Sequence, residues 1–347
     1  MSPLPLPCPP LCLAPDRMIL RAGLLALALA LAGAAPLHAQ AMPVPSAVQP
    51  TTLGQQLEAI AAVPSGRVGI AAIDLATGRT VAIHGTERFP MASVVKLTVA
   101  AVYLSEVDAG RRSLAKAIPL DESIRSGSDG IGKLMPHPGV TLSAANLIEL
   151  MLTVSDNTAT DMLIADLGGT AAVQRWLDRN RVAGVRIDRE IAQLVLDNLG
   201  LAVLPGKTAA QSLWASDPLT VEARAVAVAG FDLDPRDTAT PLAIARFLAR
   251  IDKSEMLTPD SRTFLLEVMA RCRTGADRIP AGLAAGTPVA HKTGTLLGIS
   301  NDVGIVTLPG DRRIAIAVFT RGMTDGPARA KIIADATRTI AAAWSAR

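Results

Sequence analysis

The sequence predicts an α/β (α+β) fold: a mainly antiparallel five-stranded sheet flanked by helices, with an all-helical subdomain inserted into it. Three observations predict it. Short apolar runs separated by turn residues stand near both ends of the chain: "RVGIAAIDLATGRTVAIHG" from residue 67, then "DVGIVTL" (302–308) and "RRIAIAVFT" (312–320). Helix-period segments fill the middle, among them 143–153 and 158–167. Amphipathic segments at 53–63 and about 327–344 bracket the whole. Strands from both termini with helices between them are most economically one sheet, covered by the terminal helices and interrupted by a helical insertion.

Taken in order, residues 1–41 do not read as folded protein. "MSPLPLPCPPLCLAPDR" is proline-rich, and Met18 opens a second start. Arg21 supplies a charged n-region, Leu24–Ala32 an apolar h-region, and "LHA" or "AQA" a small-residue cleavage site near Ala39 or Ala41. The reading is an export signal preceded by a misassigned extension (1–17), with a run too short for a membrane span. A periplasmic or secreted location is expected, without stable membrane association after cleavage. Residues 42–50 form a proline-containing linker.

In "LGQQLEAIAAV" (53–63), Leu53, Leu57 and Ile60 share one helical face. The runs 68–75 and 80–84 flank the turn "ATGR", and "PGD" joins the two late strands. In the last helix Ile332, Ile333, Ala336 and Ile340 point inward. This divides the chain into a sheet subdomain (42–92 plus 242–347) and a helical subdomain (93–241), the latter carrying a long loop insertion at about 191–235.

Composition narrows the function. The 347 residues are 50% hydrophobic, enough for one large domain or two modest ones. Net charge is +3, aromatics are 3%, and no basic block of five residues occurs, which argues against nucleic acid as a partner. Cys8 and Cys12 fall in the leader, leaving Cys272, which reads as a small buried thiol at a helix end without an accompanying histidine motif. His38, His84, His137 and His291 show no zinc-ligand spacing, so no metal or other cofactor is expected. His291 reads as a surface or strand-edge residue, with a part in shaping the site beside Lys292 as the alternative. "GLAVLPGKT" (200–208) imitates a phosphate loop, but five residues separate Gly200 from Gly206 where that motif has four.

Chemistry begins at "FPMASVVKLTVAAVYL" (89–104), where Lys96 interrupts an apolar run three residues after Ser93. Positions i and i+3 share a helix face, and a desolvated lysine can activate a hydroxyl. The pattern is weak by itself: "SLAK" repeats it at Ser113 and Lys116, beside Arg111 and Arg112 on a solvated stretch. In "VSDNTATDML", Ser155, Asp156 and Asn157 also suit an ordinary helix cap. In "AHKTGTLLGISNDVG", Lys292, Thr293, Gly294 and Thr295 suit an edge strand that a substrate backbone approaches, or a plain strand end.

Together the three are specific. S-x-x-K, then S-D-N 62 residues later, then K-T-G another 137 on, is the ordered set of active-site-serine β-lactamases and penicillin-binding proteins. From about residue 55 to 345 the chain resembles class A β-lactamases, with "RDTATP" (236–241), "TGADRIPAGL" (274–283) and "SNDVG" (300–304) in support. The resemblance implies hydrolysis of a small-molecule β-lactam, hence antibiotic resistance, by a monomer, the family's default. Ser93 would be acylated, Lys96 would take its proton, and Ser155 would relay one to the leaving nitrogen beside Lys292. The oxyanion would lie between the N–H groups of Ser93 and Thr295. Asn157 would hold the substrate's side-chain amide, with Thr293, Thr295 and Arg278 on its carboxylate and Gly294 leaving room.

Deacylation is where the chain departs from the family. The family's R-x-E-x-x-x-N loop corresponds to "RIDREIAQLVLDN" (186–198), whose Glu190 lies 35 residues past Ser155. Arg189 directly abuts Glu190, Leu194 stands where the family has asparagine, and about thirty extra residues (199–230) follow. Glu190 is the expected hydrolytic base, with Asp188 and Asp197 as alternatives. Arg189 paired with Asp237 would close the loop's neck, while Thr240 and Pro241 start a helix. A D,D-carboxypeptidase or penicillin-binding protein, or a non-hydrolytic penicillin sensor, is the rival reading.

Overall fold

The computed structural model describes residues 52–126 and 130–345. The leader, its cleavage site, Cys8 and Cys12 lie outside them. Nine strands occur there: β1 Arg67–Asp74, β2 Thr80–Ile83, β3 Phe89–Pro90, β4 Ala117–Pro119, β5 Thr141–Ser143, β6 Thr238–Ala239, β7 Val289–Leu296, β8 Ile299–Leu308 and β9 Arg312–Arg321. The α-helices are α1 Leu53–Ala61, α2 Val95–Asp108, α3 Ile131–Leu134, α4 Ala144–Thr153, α5 Asn157–Leu167, α6 Thr170–Arg179, α7 Ile191–Asn198, α8 Ala209–Ala215, α9 Val221–Phe231, α10 Pro241–Asp252, α11 Pro259–Ala270 and α12 Gly326–Ser345.

The main sheet has five strands in the order β2-β1-β9-β8-β7, every pair antiparallel. The first two strands and the last three therefore meet at β1 and β9, paired from Arg67↔Arg321 to Asp74↔Ile314. Alternation divides their side chains between two cores. Val68, Ile70 and Ala72 of β1, with Ile314, Ile316 and Val318 of β9, pack on Leu57 of α1 and Ile333, Ala336, Ile340 and Trp344 of α12. Ala71 and Ile73, with Ala315, Ala317 and Phe319, face the core that contains α2, α5 and α10. Both faces are buried, so these strands read as unbroken apolar runs although they are antiparallel. Of the residues assigned inward on the last helix, Ile333, Ala336 and Ile340 are fully buried and Ile332 is partly so.

Local capping fixes the helical part. Thr240 caps α10 with Pro241 in its first turn, Asp156 caps α5, and Thr52 and Thr208 close reciprocal caps with Gln55 and Gln211. The stretch read as a long loop insertion is largely helical, because Thr208 and Thr220 cap α8 and α9 within it. The phosphate-loop lookalike is the turn that ends at the Thr208 cap. Lys116 of "SLAK" is half-exposed and paired with Asp166, away from any serine hydroxyl of interest.

Candidate active site

Ser93 is the one residue of 89–104 that is not buried. It sits in the 3₁₀ turn Ala92–Val94 that feeds α2, and Ala92 before it is held at φ 49°. That left-handed kink, costly for a residue with a Cβ, ends the extended segment at Pro90 and turns the serine outward at the head of a buried helix. Strand β7 abuts the same turn. A Cβ on Gly294 would lie 2.5 Å from Met91 O and 3.2 Å from the Ala92 Cβ, so only glycine allows this approach.

Asn301 on β8 staples the two together. Its Nδ2 donates to Pro90 O (2.9 Å) and Met91 O (3.0 Å), while its Oδ1 accepts from Thr320 N. The sequence reading valued "SNDVG" only as a family signature and missed this role. A run of polar residues, Ser300, Asn301 and Asp302, at the start of a strand that is otherwise mostly apolar was the available signal.

Lys96 is fully buried, and its ammonium donates to Ser155 O (2.5 Å), Ser155 Oγ (3.2 Å) and Asn157 Oδ1 (2.6 Å). Burial above all, and then the charge of Lys292, hold it well below the usual lysine value against Asp156 and Asp161. Lys292, also fully buried, donates to Ser155 Oγ (3.0 Å) and Thr293 O (2.8 Å) and is lowered by burial to about 8. Ser155, at φ 60°, thus accepts from both lysines. With both lone pairs occupied, its remaining capacity is to donate. The cap reading of "SDN" holds for Asp156, whose carboxylate accepts from Ala159 N and Ile131 N, both at 2.7 Å. Cap and cluster coexist because Asp156 anchors the turn that presents Ser155 and Asn157.

At the far side of β7, Arg278 donates to Gly294 O (3.2 Å), Asn301 O (2.9 Å) and Thr295 Oγ1 (2.7 Å), leaving Thr295 exposed. Thr293 Oγ1 lies 2.6 Å from Thr274 Oγ1. His291 is on the edge strand, as read, but it is buried and not on the surface: its Nδ1 lies 2.9 Å from Asp302 Oδ1. A neighbouring strand supplies the carboxylate that makes burial possible.

Glu190 is exposed at the N-cap of α7. The two alternatives to it are engaged elsewhere. Asp188 pairs with Arg186 and accepts from Asp237 N, and Asp197 pairs with Arg189 and Arg236. Arg189 is buried and bonded to Asp237 (2.5 Å), Asp197 (2.6 Å) and Asp234 (2.9 Å), with its guanidinium 5.4 Å from the Phe231 ring centroid. Asp237 Oδ1 also accepts from the N–H groups of Asp188 and Arg189, which ties the chain on both sides of the segment together. Leu194 is buried. Asp161, unremarked in the sequence, accepts from Ile191 N (2.7 Å) and Ala192 N (3.1 Å), and so fixes the start of α7. Burial pushes it up to about 7 despite those bonds, with Glu190 adding to the rise and Lys96 opposing it. Among the described residues, no group of three His, Cys, Asp or Glu side chains could hold a metal ion.

The model of the β-lactamase enzyme family matches residues 52–344. A β-lactamase of Streptomyces fradiae is 31% identical over 84% of this chain and 85% of that protein, and β-lactamase VEB-1 of Pseudomonas aeruginosa is 28% identical over 79% and 84%. Among solved structures, an ancestral class A β-lactamase (GNCA) superposes with a TM-score of 0.69 at 32% identity, over 84% of this chain and all of that one.

Proposed function

The chain belongs to the β-lactamase enzyme family, and from that premise we propose that it is a class A serine β-lactamase opening the β-lactam amide through an acyl-enzyme on Ser93. The observation that carries the assignment of roles is Ser155 Oγ held between two buried lysines, one of them in the first turn of the helix that the Ser93 turn feeds.

Lys96, its pKa held well below the usual lysine value by burial and by Lys292, takes the Ser93 proton as its oxygen attacks the lactam carbonyl. The oxyanion forms between the N–H groups of Ser93 and Thr295, a reading that the close approach of Gly294 to Met91 and Ala92 supports. Losing one such donor costs on the order of 10²–10³ in rate. As the C–N bond breaks, Ser155 delivers a proton to the ring nitrogen and is recharged from Lys96. Asn157, its Oδ1 engaged by Lys96, offers its N–H donors to the substrate's side-chain carbonyl. Thr293, Thr295 and Arg278 receive the carboxylate. Arg278 both orients Thr295 and adds positive charge.

Glu190 serves as base for the water that releases the ester, since Asp188 and Asp197 are committed to arginines. Buried Leu194 cannot help to hold that water, so the task falls more heavily on Glu190, with Asp161 setting the position of its helix. The leader-like segment 18–41 supports export to the periplasm or medium, where such an enzyme meets β-lactams before their targets and confers resistance. A monomer acting without nucleic acid completes the reading.

The test is hydrolysis of a penicillin and a cephalosporin followed by ultraviolet absorbance. The wild type should turn over at least one of them, and Ser93→Ala neither. Turnover that survives Ser93→Ala would refute the assignment.

A further inference from the structure

Helix α7, which begins at Ile191 directly after Glu190, is tied down at both ends. Asp161 of α5 holds its start through Ile191 N and Ala192 N. Asn198, its last residue and buried, holds its end. The Asn198 Oδ1 accepts from Leu297 N (2.9 Å) and its Nδ2 donates to Leu297 O (3.2 Å), so one side-chain amide takes both polar groups of a backbone residue. Leu297 and Gly298 are the two loop residues between β7 and β8, whose last paired residues are Leu296 and Ile299. Two-residue hairpins favour turns whose first loop residue has a positive φ, because that twist matches the strands. Here Gly298 has one, at 78°, and Leu297 does not. A turn of this kind splays its strands unless something outside holds it. Asn198 supplies that hold. Val228 of α9 packs against the second loop residue: a Cβ on Gly298 would lie 2.8 Å from Val228 Cγ1.

Thr295 stands two residues before Leu297, and Glu190 one residue before α7. The eight residues of α7 rise only about 12 Å. One short helix therefore links the residue read as hydrolytic base to the strand read as holding the oxyanion. We propose that Asn198 is a positioning residue for release of the acyl-enzyme: by pinning the end of α7 to the β7–β8 turn, it sets the reach from Glu190 to the ester. It acts through Glu190 and not on the substrate. A displacement of about 1 Å at a catalytic group can cost about 10² in rate. Formation of the ester draws on Ser93, Lys96 and Ser155, none of which α7 carries, so that step is spared. The inference rests on the reading of the site as a β-lactamase and deepens its deacylation step.

The experiment measures the rates of ester formation and clearing on Ser93, by intact mass after benzylpenicillin is added, in the wild type, Asn198→Ala, Leu297→Pro and Ile340→Ala. Asn198→Ala removes both bonds to the turn. Leu297→Pro removes the N–H of that pair and leaves Asn198 in place. A turn with a positive φ only at its second central residue admits proline at the first, so this variant carries the test if Asn198→Ala does not fold. Ile340→Ala lowers stability from the fully buried core beneath α12, which α7 does not join. Clearing should slow by about 10–100-fold in the first two variants while formation changes by less than about threefold, so the adduct accumulates. In Ile340→Ala, at a temperature where every protein is folded, the ratio of the two rates should stay at the wild-type value. An unchanged ratio in both Asn198→Ala and Leu297→Pro would overturn the inference. So would an equal shift in Ile340→Ala, which would make the effect one of stability alone. A wild type that forms no adduct, or never clears it, would overturn the β-lactamase reading and this inference with it, before any variant is compared.

Discussion

Two buried lysine amines share Ser155 Oγ, and the serine's own proton is the one to be given away. Lys292 is lowered to about 8, with burial as the largest cause. A lysine is charged below its pKa, so the electrostatic help it gives is present at neutral pH and lost as pH rises through about 8. The acylation rate, kcat/KM, is expected to fall on that side, and Lys292→Arg should carry the fall to higher pH, because a guanidinium keeps its charge. An unmoved alkaline limb would mean that Lys292 is not the titrating group. Lys96, Ser155 and Lys292, singled out by the ordered set of short motifs that includes Ser93, are brought together in the structure, each lysine within hydrogen-bond reach of Ser155 Oγ. Asn301, Asp161 and the His291–Asp302 pair were not legible in the sequence, since each gains its partner from a different element.

Strand β7 works because it carries no side chain at Gly294. In Gly294→Ala the new Cβ would press on Met91 O and Ala92. The strand must then withdraw from the Ser93 turn, and kcat/KM should drop by about 10² or more through misplacement of the oxyanion donors. The fold should survive, which far-ultraviolet circular dichroism would verify; full activity in this variant would contradict the close approach. The segment 186–237 has its own anchor in Arg189 and Asp237. Asp237→Ala removes one of three carboxylates around the buried Arg189 and frees two backbone N–H groups, at a cost of about 1–3 kcal/mol. A thermal melt should show the loss, and release of the acyl-enzyme should slow more than its formation. The pairing of Arg189 with Asp237 was readable from the sequence. The helices α8 and α9 were not, because one follows directly on a stretch that resembled a phosphate loop and the second carries little amphipathic signal.

Across the molecule, β1 from one end pairs with β9 from the other, and Arg312 joins Asp74 (2.5 Å) to Trp344 O (2.5 Å), so the ends of the fold hold each other. This much of the architecture followed from apolar strands at both termini. The buried Asp161 on α5 ties stability to pH. An unfolded aspartate binds its proton up to about pH 4, and this one does so up to about 7 in the fold. Between those values the native state holds more protons, so stability declines as pH rises, by at most about 1.4 kcal/mol per unit. Melting temperatures from pH 5 to 8 should therefore fall less in Asp161→Asn than in the wild type. Parallel curves for the two proteins would contradict this.

The central claim is that an ester on Ser93 both forms and clears. Intact mass should be followed in time after benzylpenicillin is added to the wild type, Ser93→Ala and Glu190→Gln. The expected result is an adduct that appears and disappears in the wild type, is absent in Ser93→Ala, and persists in Glu190→Gln. A wild-type adduct that stays for hours would contradict the account and leave a penicillin-binding protein or sensor in place of a hydrolase.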